Sequence, residues 1–183
     1  VPTIETPRLL LRDWRDDDVE AWVRMNADAR VTEFFSRKYT RALSEASATA
    51  IREQLRRYGY GWWAVEVRGG PPFAGVIALQ KVPFAAAFTP AREIGWRFSF
   101  ENWGRGYATE GAKAALGFAF NVLDWHEVVA FTAALNLRSQ RVMERLGMTH
   151  DPADDFDHPN IEPGHALRRH VLYRIRKPSQ RSP

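Results

Sequence analysis

The two glycines of Asn102-Trp103-Gly104-Arg105-Gly106-Tyr107-Ala108-Thr109 stand where the sequence changes period. Before them, Ile94 to Phe100 alternates in the manner of a strand. After them, Ala108, Ala112, Ala115, Leu116, Ala119, Phe120 and Leu123 recur with the spacing of one helix face. A glycine turn that hands a strand to a helix leaves the first N–H groups of the helix without partners. It also aims the positive end of the helix dipole at the same spot. The chemistry this arrangement suits is a pyrophosphate cradle; the competing reading is a turn that needs glycine only for its positive φ.

Several other chemistries are absent from the sequence. No Gly-Lys-Ser/Thr follows the glycines, so the turn is not a Walker loop. Thr109 stands where a dinucleotide fingerprint needs its third glycine, and no acidic residue closes the next strand. There are no cysteines, which removes disulfides, thiolate metal sites and a thiol nucleophile. His158, His165 and His170 lack metal-ligand spacing, and neither Gly-x-Ser-x-Gly nor His-Glu-x-x-His occurs, so no metal is expected. The net charge of +4 is spread over arginines that alternate with acids, except at Arg174-Ile175-Arg176-Lys177. Mild basicity of this kind suits a polyphosphate ligand. No nucleic-acid-binding module is visible, and nucleic acid is not an expected partner.

The elements that must position the cradle follow from the rest of the chain. A length of 183 residues with 45% hydrophobic content is enough for one sizeable core. The expectation is a single domain over 1–177, with 178–183 as a tail. No apolar run approaches membrane-spanning length and no signal-peptide pattern opens the chain, so a cytoplasmic protein without a membrane partner is expected. Arg8 to Trp14 reads as a strand, and Asp16-Asp17-Asp18 as the cap and first-turn acids of a helix bearing Val19, Trp22 and Val23. Phe34-Phe35 belongs either to the core or to a pocket. Ser44 is the expected cap of a second helix, which Gly59 and Gly61 end. Trp62–Val67 and Ala74–Val82 flank a Gly-Gly-Pro-Pro turn, forming a hairpin. Glu127 to Ala134 is a mostly apolar run suited to a strand covered on both faces. With the central helix it makes a right-handed βαβ unit. Asn136 caps a short helix with Ser139, Val142, Met143 and Leu146 on one face, and Gly147 stops it. A polar loop, Asp151 to His165, and a strand from Arg169 to Ile175 close the chain. The predicted fold is α+β, with a mixed, mostly antiparallel sheet of six to seven strands, one parallel crossover and helices on both faces.

Taken together, Gly-x-Gly-Tyr-Ala-Thr-Glu, the preceding Ile-Gly-Trp strand, Asn136-x-x-Ser139 and Leu146-Gly147-Met148 resemble the GNAT superfamily of N-acetyltransferases. Within it the resemblance is closest to the branch that acetylates the N-termini of ribosomal proteins, and it runs from Thr6-Pro7-Arg8-Leu9 through Met148. The general signature maps to Trp103, Gly106 and Ala108; Trp103 departs from its usual Gln or Arg and agrees with this branch. The resemblance implies an acyl-CoA N-acyltransferase fold and acetyl-CoA as co-substrate. It implies that backbone N–H groups of Arg105, Gly106, Tyr107 and Ala108 hold the pyrophosphate, with Gly104 and Trp103 in the same turn. Thr109 could add a hydroxyl, and Arg105 either reaches a phosphate or is a solvated surface residue. The strand around Trp96, Phe98, Ser99 and Phe100 is expected to pair with the pantetheine amides. Gly95 suggests a bulge that splays the parallel strands.

Acetyl transfer to an amine needs a base for the ammonium, a donor for the oxyanion and a proton for the thiolate. Glu93 on the central strand is the candidate base; the alternative is a glutamate paired with Arg92. A backbone N–H near Phe98 is the expected oxyanion donor. The tyrosine that many family members place on the last helix is replaced here by Met143, and Ser139 is the substitute near the sulfur. Ser139 could instead satisfy backbone groups, and Asn136 is either a cap or a coenzyme contact. The resemblance further implies an acceptor pocket built from Phe34 to Tyr39 and Phe156 to His165. The expected activity is transfer to a primary amine, of a peptide N-terminus or a small molecule, by a monomer or homodimer. The alternative is a non-catalytic acyl-CoA-binding module.

Overall fold

The computed structural model describes residues 1–179. Its elements are β1 (Ile4–Glu5), β2 (Leu9–Arg12), α1 (Asp18–Ala27), α2 (Arg41–Tyr58), β3 (Trp62–Val67), β4 (Gly75–Lys81) and β5 (Arg92–Phe98). After a 3-10 turn at Phe100–Asn102 come α3 (Tyr107–Asn121), β6 (Glu127–Ala133), α4 (Leu137–Arg145), β7 (Thr149–His150), β8 (Phe156–Asp157) and β9 (Arg169–Arg176). The expected tail lies largely outside the described residues, which end at Ser179.

The strands form one sheet in the order β1-β2-β3-β4-β5-β6-β9-β7, with β8 also on β9. It has nine strands, more than the expected six to seven, because three two-residue strands, β1, β7 and β8, extend its margins. Every pairing is antiparallel except β5 with β6. The α3 crossover between those two cannot be shortened to a hairpin, which makes them the parallel pair.

Successive residues of β3 show how the two faces are covered. Trp62 packs edge-on against Trp22 of α1, and Trp63 against Phe118 of α3. Helices α1 and α2 therefore cover one face and α3 the other, and the core runs along both sides of the sheet. A buried ion cluster fastens α1 to the sheet. Arg12 of β2 donates to both Asp18 oxygens (2.7 and 3.0 Å) and to Glu66 of β3 (2.8 Å). Burial works against this guanidinium, but its two carboxylate partners outweigh that and raise its pKa.

Two helix starts differ from expectation. Asp17 caps α1 with no side-chain hydrogen bond, while Asp18 turns inward to Arg12 because a buried cation needs a carboxylate more than a helix end does. Thr40 caps α2, accepting from Leu43 N–H, and Ser44 lies inside the helix, where its buried hydroxyl accepts from Asn26. Gly59, at φ 71°, ends α2 as expected.

Candidate functional site

Strand β5 carries the site along its length. Its register with β4 is continuous from Gly75↔Phe98 to Lys81↔Arg92, so Gly95 makes no bulge and that expectation is corrected. The parallel strands nevertheless part. Their pairing is confined to Glu93↔Val129, near the start of β5, and does not continue toward Phe98. Ser99 N–H bonds to Ala74 O on the β4 side, and alternation along a strand then turns the main-chain groups of Trp96 and Phe98 toward β6. Those groups face a gap that opens toward the carboxyl ends of β5 and β6, where a sheet binds ligands beside its crossover.

The close β4–β5 approach rests on Gly75, which the sequence reading passed over. A Cβ there would collide with Arg97 O and lie 2.7 Å from Phe98 Cα. The only sequence signal was a glycine at the head of an apolar strand.

At the open end, Gly104 (φ 71°) and Gly106 (φ 78°) turn the chain into α3. Among the described residues no oxygen accepts from the N–H groups of Arg105 to Thr109, and Gly106 caps the helix without a side chain. The cradle is therefore a set of unsatisfied donors at a helix N-terminus. Arg8, also missed from sequence, holds it in shape: its Nη1 donates to Arg105 O (2.9 Å) and its Nε to Glu110 (2.6 Å). Glu110 accepts as well from the Thr6 hydroxyl and from Arg8 N–H. Burial raises the Glu110 pKa, but these donors more than offset it and hold the carboxyl below its usual range. The Arg105 side chain is exposed and donates from Nε to Glu101 O.

Other predicted contacts are placed less freely. Ser99 Oγ donates to Ala74 O and accepts from Asn102, so its side chain locks the turn. Phe100 has left the strand for the 3-10 turn and packs at a tilt against Trp103 (5.1 Å between centroids). Trp103 Nε1 donates to Phe98 O, and Arg138 of α4 lies 4.7 Å from its ring while pairing with Glu33. A groove of about 710 Å³ runs from α1 past the β3–β4 turn to Ser99, Phe100 and Arg105. Neither Glu93 nor Ser139 lines it.

At the paired end, Glu93 sits deep in the protein yet keeps some solvent contact. It does not pair with Arg92, whose guanidinium lies on Trp125 across the strand. Its Oε2 accepts from Gln80 Nε2 (2.9 Å), and Gln80 Oε1 accepts from Trp62 Nε1 (2.8 Å), an order that fixes the amide's orientation. Burial pushes the carboxyl up to about 7, the hydrogen bond from Gln80 offsetting only part of that. Gly95, two residues on and on the same face, leaves open space beside Glu93 Oε1: a Cβ there would meet nothing nearer than that oxygen, at 4.0 Å.

Across the gap, Asn136 caps α4 by accepting from Ser139 N–H (3.2 Å). Its amide nitrogen donates to Thr132 Oγ1 (2.9 Å) and to Ser139 Oγ (3.1 Å). The Asn136 side chain is thus committed to capping and orienting. Ser139 Oγ accepts and keeps its proton free of any protein acceptor among the described residues. Met143, one turn on, is buried in the core.

Most of the aspartates of the late loop are engaged within the protein. Asp151 caps a short turn, Asp154 pairs with Arg174, Asp155 with His150, and Asp157 with Arg168 and Arg169. Two of these arginines, Arg169 and Arg174, belong to strand β9. The loop also brings aromatic rings: its Phe156 and His158, with His170 of β9, join Phe84, Phe88 and Phe131, with Phe84 and His158 centroids 4.6 Å apart. Burial, aided by the His158 charge and opposed by the Arg168 carbonyl, pushes His170 down to about 4. No three His, Cys, Asp or Glu side chains among the described residues are grouped to hold a metal ion.

The fold recurs in known proteins. Residues 8–149 match the family model described as an acetyltransferase (GNAT) domain. The FsC-acetyl coenzyme A-N(2)-transacetylase of Aspergillus fumigatus is 30% identical over 194 residues, covering 97% of this chain and 81% of its own. An acetyltransferase of the GNAT family from Bacillus anthracis has a TM-score of 0.78 at 25% identity, over 96% of this chain and 99% of that one. RimL, a ribosomal L7/L12 α-N-protein acetyltransferase solved in complex with coenzyme A, gives a TM-score of 0.75 at 15% identity, over 96% and 98% of the two chains. At that identity it shares the fold and carries no statement about substrate. With more than half of its length matched to the family, the chain belongs to the GNAT acetyltransferases.

Proposed function

We propose that this protein transfers the acetyl group of acetyl-CoA to a primary amine, of a peptide N-terminus or a small molecule, by direct attack in a ternary complex. The observation that carries the proposal is the pairing of two features on one strand. The unsatisfied N–H groups of Arg105 to Thr109 stand at the end of β5, and a carboxyl with a pKa near 7, Glu93, stands at its start. The donor set fits a pyrophosphate, being backbone N–H groups on a positive helix end with no competing oxygen. The slot-facing groups of Trp96 and Phe98 fit an extended amide chain laid along β5 as an added strand.

In this reading Glu93 takes a proton from the acceptor ammonium, directly or through water, with its Oε1 side kept open by Gly95. The neutral amine attacks the thioester carbonyl carbon, and a main-chain N–H of Trp96 or Phe98 donates to the oxygen that gains charge. As the C–S bond breaks, Ser139 donates its free hydroxyl proton in a hydrogen bond to the sulfur. The second proton shed by the nitrogen restores the thiol. Asn136 holds Ser139 in place for this.

Thiol release from acetyl-CoA in the presence of small amines and N-terminal peptides, ribosomal-protein N-termini among them, tests the proposal. Mass spectrometry of the acceptor is the second readout. The expected result is one or more N-acetylated products. Coenzyme A binding with no acetylated product from any acceptor would support the binding module instead, and no coenzyme A binding would overturn both.

A further inference from the structure

The face of β5 that carries Glu93 also carries Arg97, two pleats further on. Its guanidinium is enclosed by aromatic rings: Trp22 at 4.9 Å, Phe35 at 4.3 Å and Tyr39 at 5.0 Å. Nη1 donates to Asn26 Oδ1 (2.5 Å), and Nη2 reaches the Tyr39 hydroxyl only at 3.5 Å. Nε is buried and has no acceptor at all. Among the described residues no carboxylate lies within ion-pairing distance of Arg97. A second cation, Arg37, stands 4.9 Å from the Tyr39 ring, also without a carboxylate partner among the described residues. The Tyr39 hydroxyl thus has two guanidinium groups beside it. Their charges and hydrogen bonds outweigh burial and draw its pKa down.

The buried Arg12, by contrast, has two carboxylates. A sunken cation without a counter-charge loses hydration that nothing repays, and a buried donor left unmatched is destabilising. Cation–π contacts recover part of this but satisfy no N–H. Arg92 also has an unmatched buried nitrogen, but its guanidinium lies on the opposite face of β5, against Trp125. Arg97 shares its face with Glu93 and the open space beside Gly95.

We propose that Arg97, Arg37 and the Tyr39 hydroxyl form a subsite for an anionic group of the acceptor, so that the amine acetylated belongs to a molecule that also carries a carboxylate or phosphate. The proposal rests on the acetyl-transfer reading above and specifies its acceptor. Residues 93 and 97 are four strand steps, about 13 Å, apart along the backbone. Amine and anion are therefore held at separate stations of β5, with the loosely held Nη2 of Arg97 as the donor a ligand would engage.

The test uses paired acceptors that differ only in charge: α-amino acids, ω-amino acids and dipeptides against their carboxamides, with ethanolamine phosphate against ethanolamine as a separate arm. Each pair is assayed for thiol release and titrated calorimetrically into the coenzyme A complex. The expected result is a preference of tenfold or more for the anionic member in one of the arms, which also tells carboxylate from phosphate. That ratio should fall to about one in Arg97→Gln and severalfold in Arg37→Gln. Coenzyme A affinity reports the fold of both variants, and Arg37, being exposed, can be replaced without disturbing the core. Equal use of both members of every pair, or a preference untouched by both substitutions, would overturn the subsite. So would an Arg97→Gln variant that loses coenzyme A affinity and keeps the preference, since the guanidinium would then serve the donor. Discrimination in the titrations without acetyl transfer would leave the anion subsite standing and count against the transferase reading.

Discussion

Glu93 owes its chemistry to its surroundings. Burial lifts its carboxyl to about 7, so its basic form gains population as pH rises through that value. Acetyl transfer by the wild type is expected to climb with an apparent pKa near 7. Glu93→Gln should lose at least tenfold in kcat and flatten that limb, as steady-state rates against pH will show. Stability follows the same group with the opposite trend. The unfolded glutamate titrates near 4.5 and the folded one near 7, so the folded state holds its proton longer. Stability from this residue is complete below about pH 4.5, falls through the interval to about 7 and then levels off. Urea unfolding across that window should show a decline in the wild type that Glu93→Gln lacks. Ser139 is a hydroxyl aimed by a cap. Ser139→Ala is expected to lower kcat about tenfold while changing coenzyme A affinity less than twofold; unchanged turnover would remove it from the mechanism.

Turns and strand ends decide where these residues stand. The cradle exists because Gly106, at φ 78°, can take a left-handed conformation that side chains adopt only under strain. A Cβ there would also approach Arg8 Nη2 to 3.4 Å. Gly106→Glu adds a carboxylate that competes for the same N–H groups and repels phosphate. The expected outcome is a coenzyme A Kd raised tenfold or more by calorimetry, and an unchanged Kd would put the cradle elsewhere. The gap between β5 and β6 has a different origin from the one its glycine suggested. No bulge interrupts β5; the strands separate because pairing ends at Glu93↔Val129 while β4 continues to hold β5 as far as Phe98.

Across the molecule, the sheet is tied to its helices by charge as well as by packing. Asp18 of α1 meets Arg12 of β2 in an enclosed pair, and removing one partner of such a pair typically costs about 3 kcal/mol because the other charge stays buried. Asp18→Ala should lower Tm by roughly 10 °C for a chain of this size, and differential scanning calorimetry will measure it. The distribution of cations follows the same logic. Arg12 has its carboxylates inside the fold, whereas among the described residues Arg97 and Arg37 pair with none, the contrast on which the proposed anion subsite rests. By itself the sequence determined the strand-to-helix turn at Gly104-Arg105-Gly106, the β3–β4 hairpin, the βαβ unit and the cap at Asn136. Each of these is set by residues within a few positions of one another, through glycine φ, alternation and capping. Only the tertiary structure decided that Asp18 pairs with Arg12, that Gln80 and Trp62 orient Glu93, that Arg8 braces the cradle, and that Asp154 and Asp157 of the late loop meet Arg174 and Arg169 of β9. It alone gathered Arg97, Arg37 and Tyr39 around one point. Whether a charge finds a partner depends on which segments the folded sheet brings side by side, for Arg12 and Asp18, six positions apart, as for Arg8 and Arg105, 97 apart.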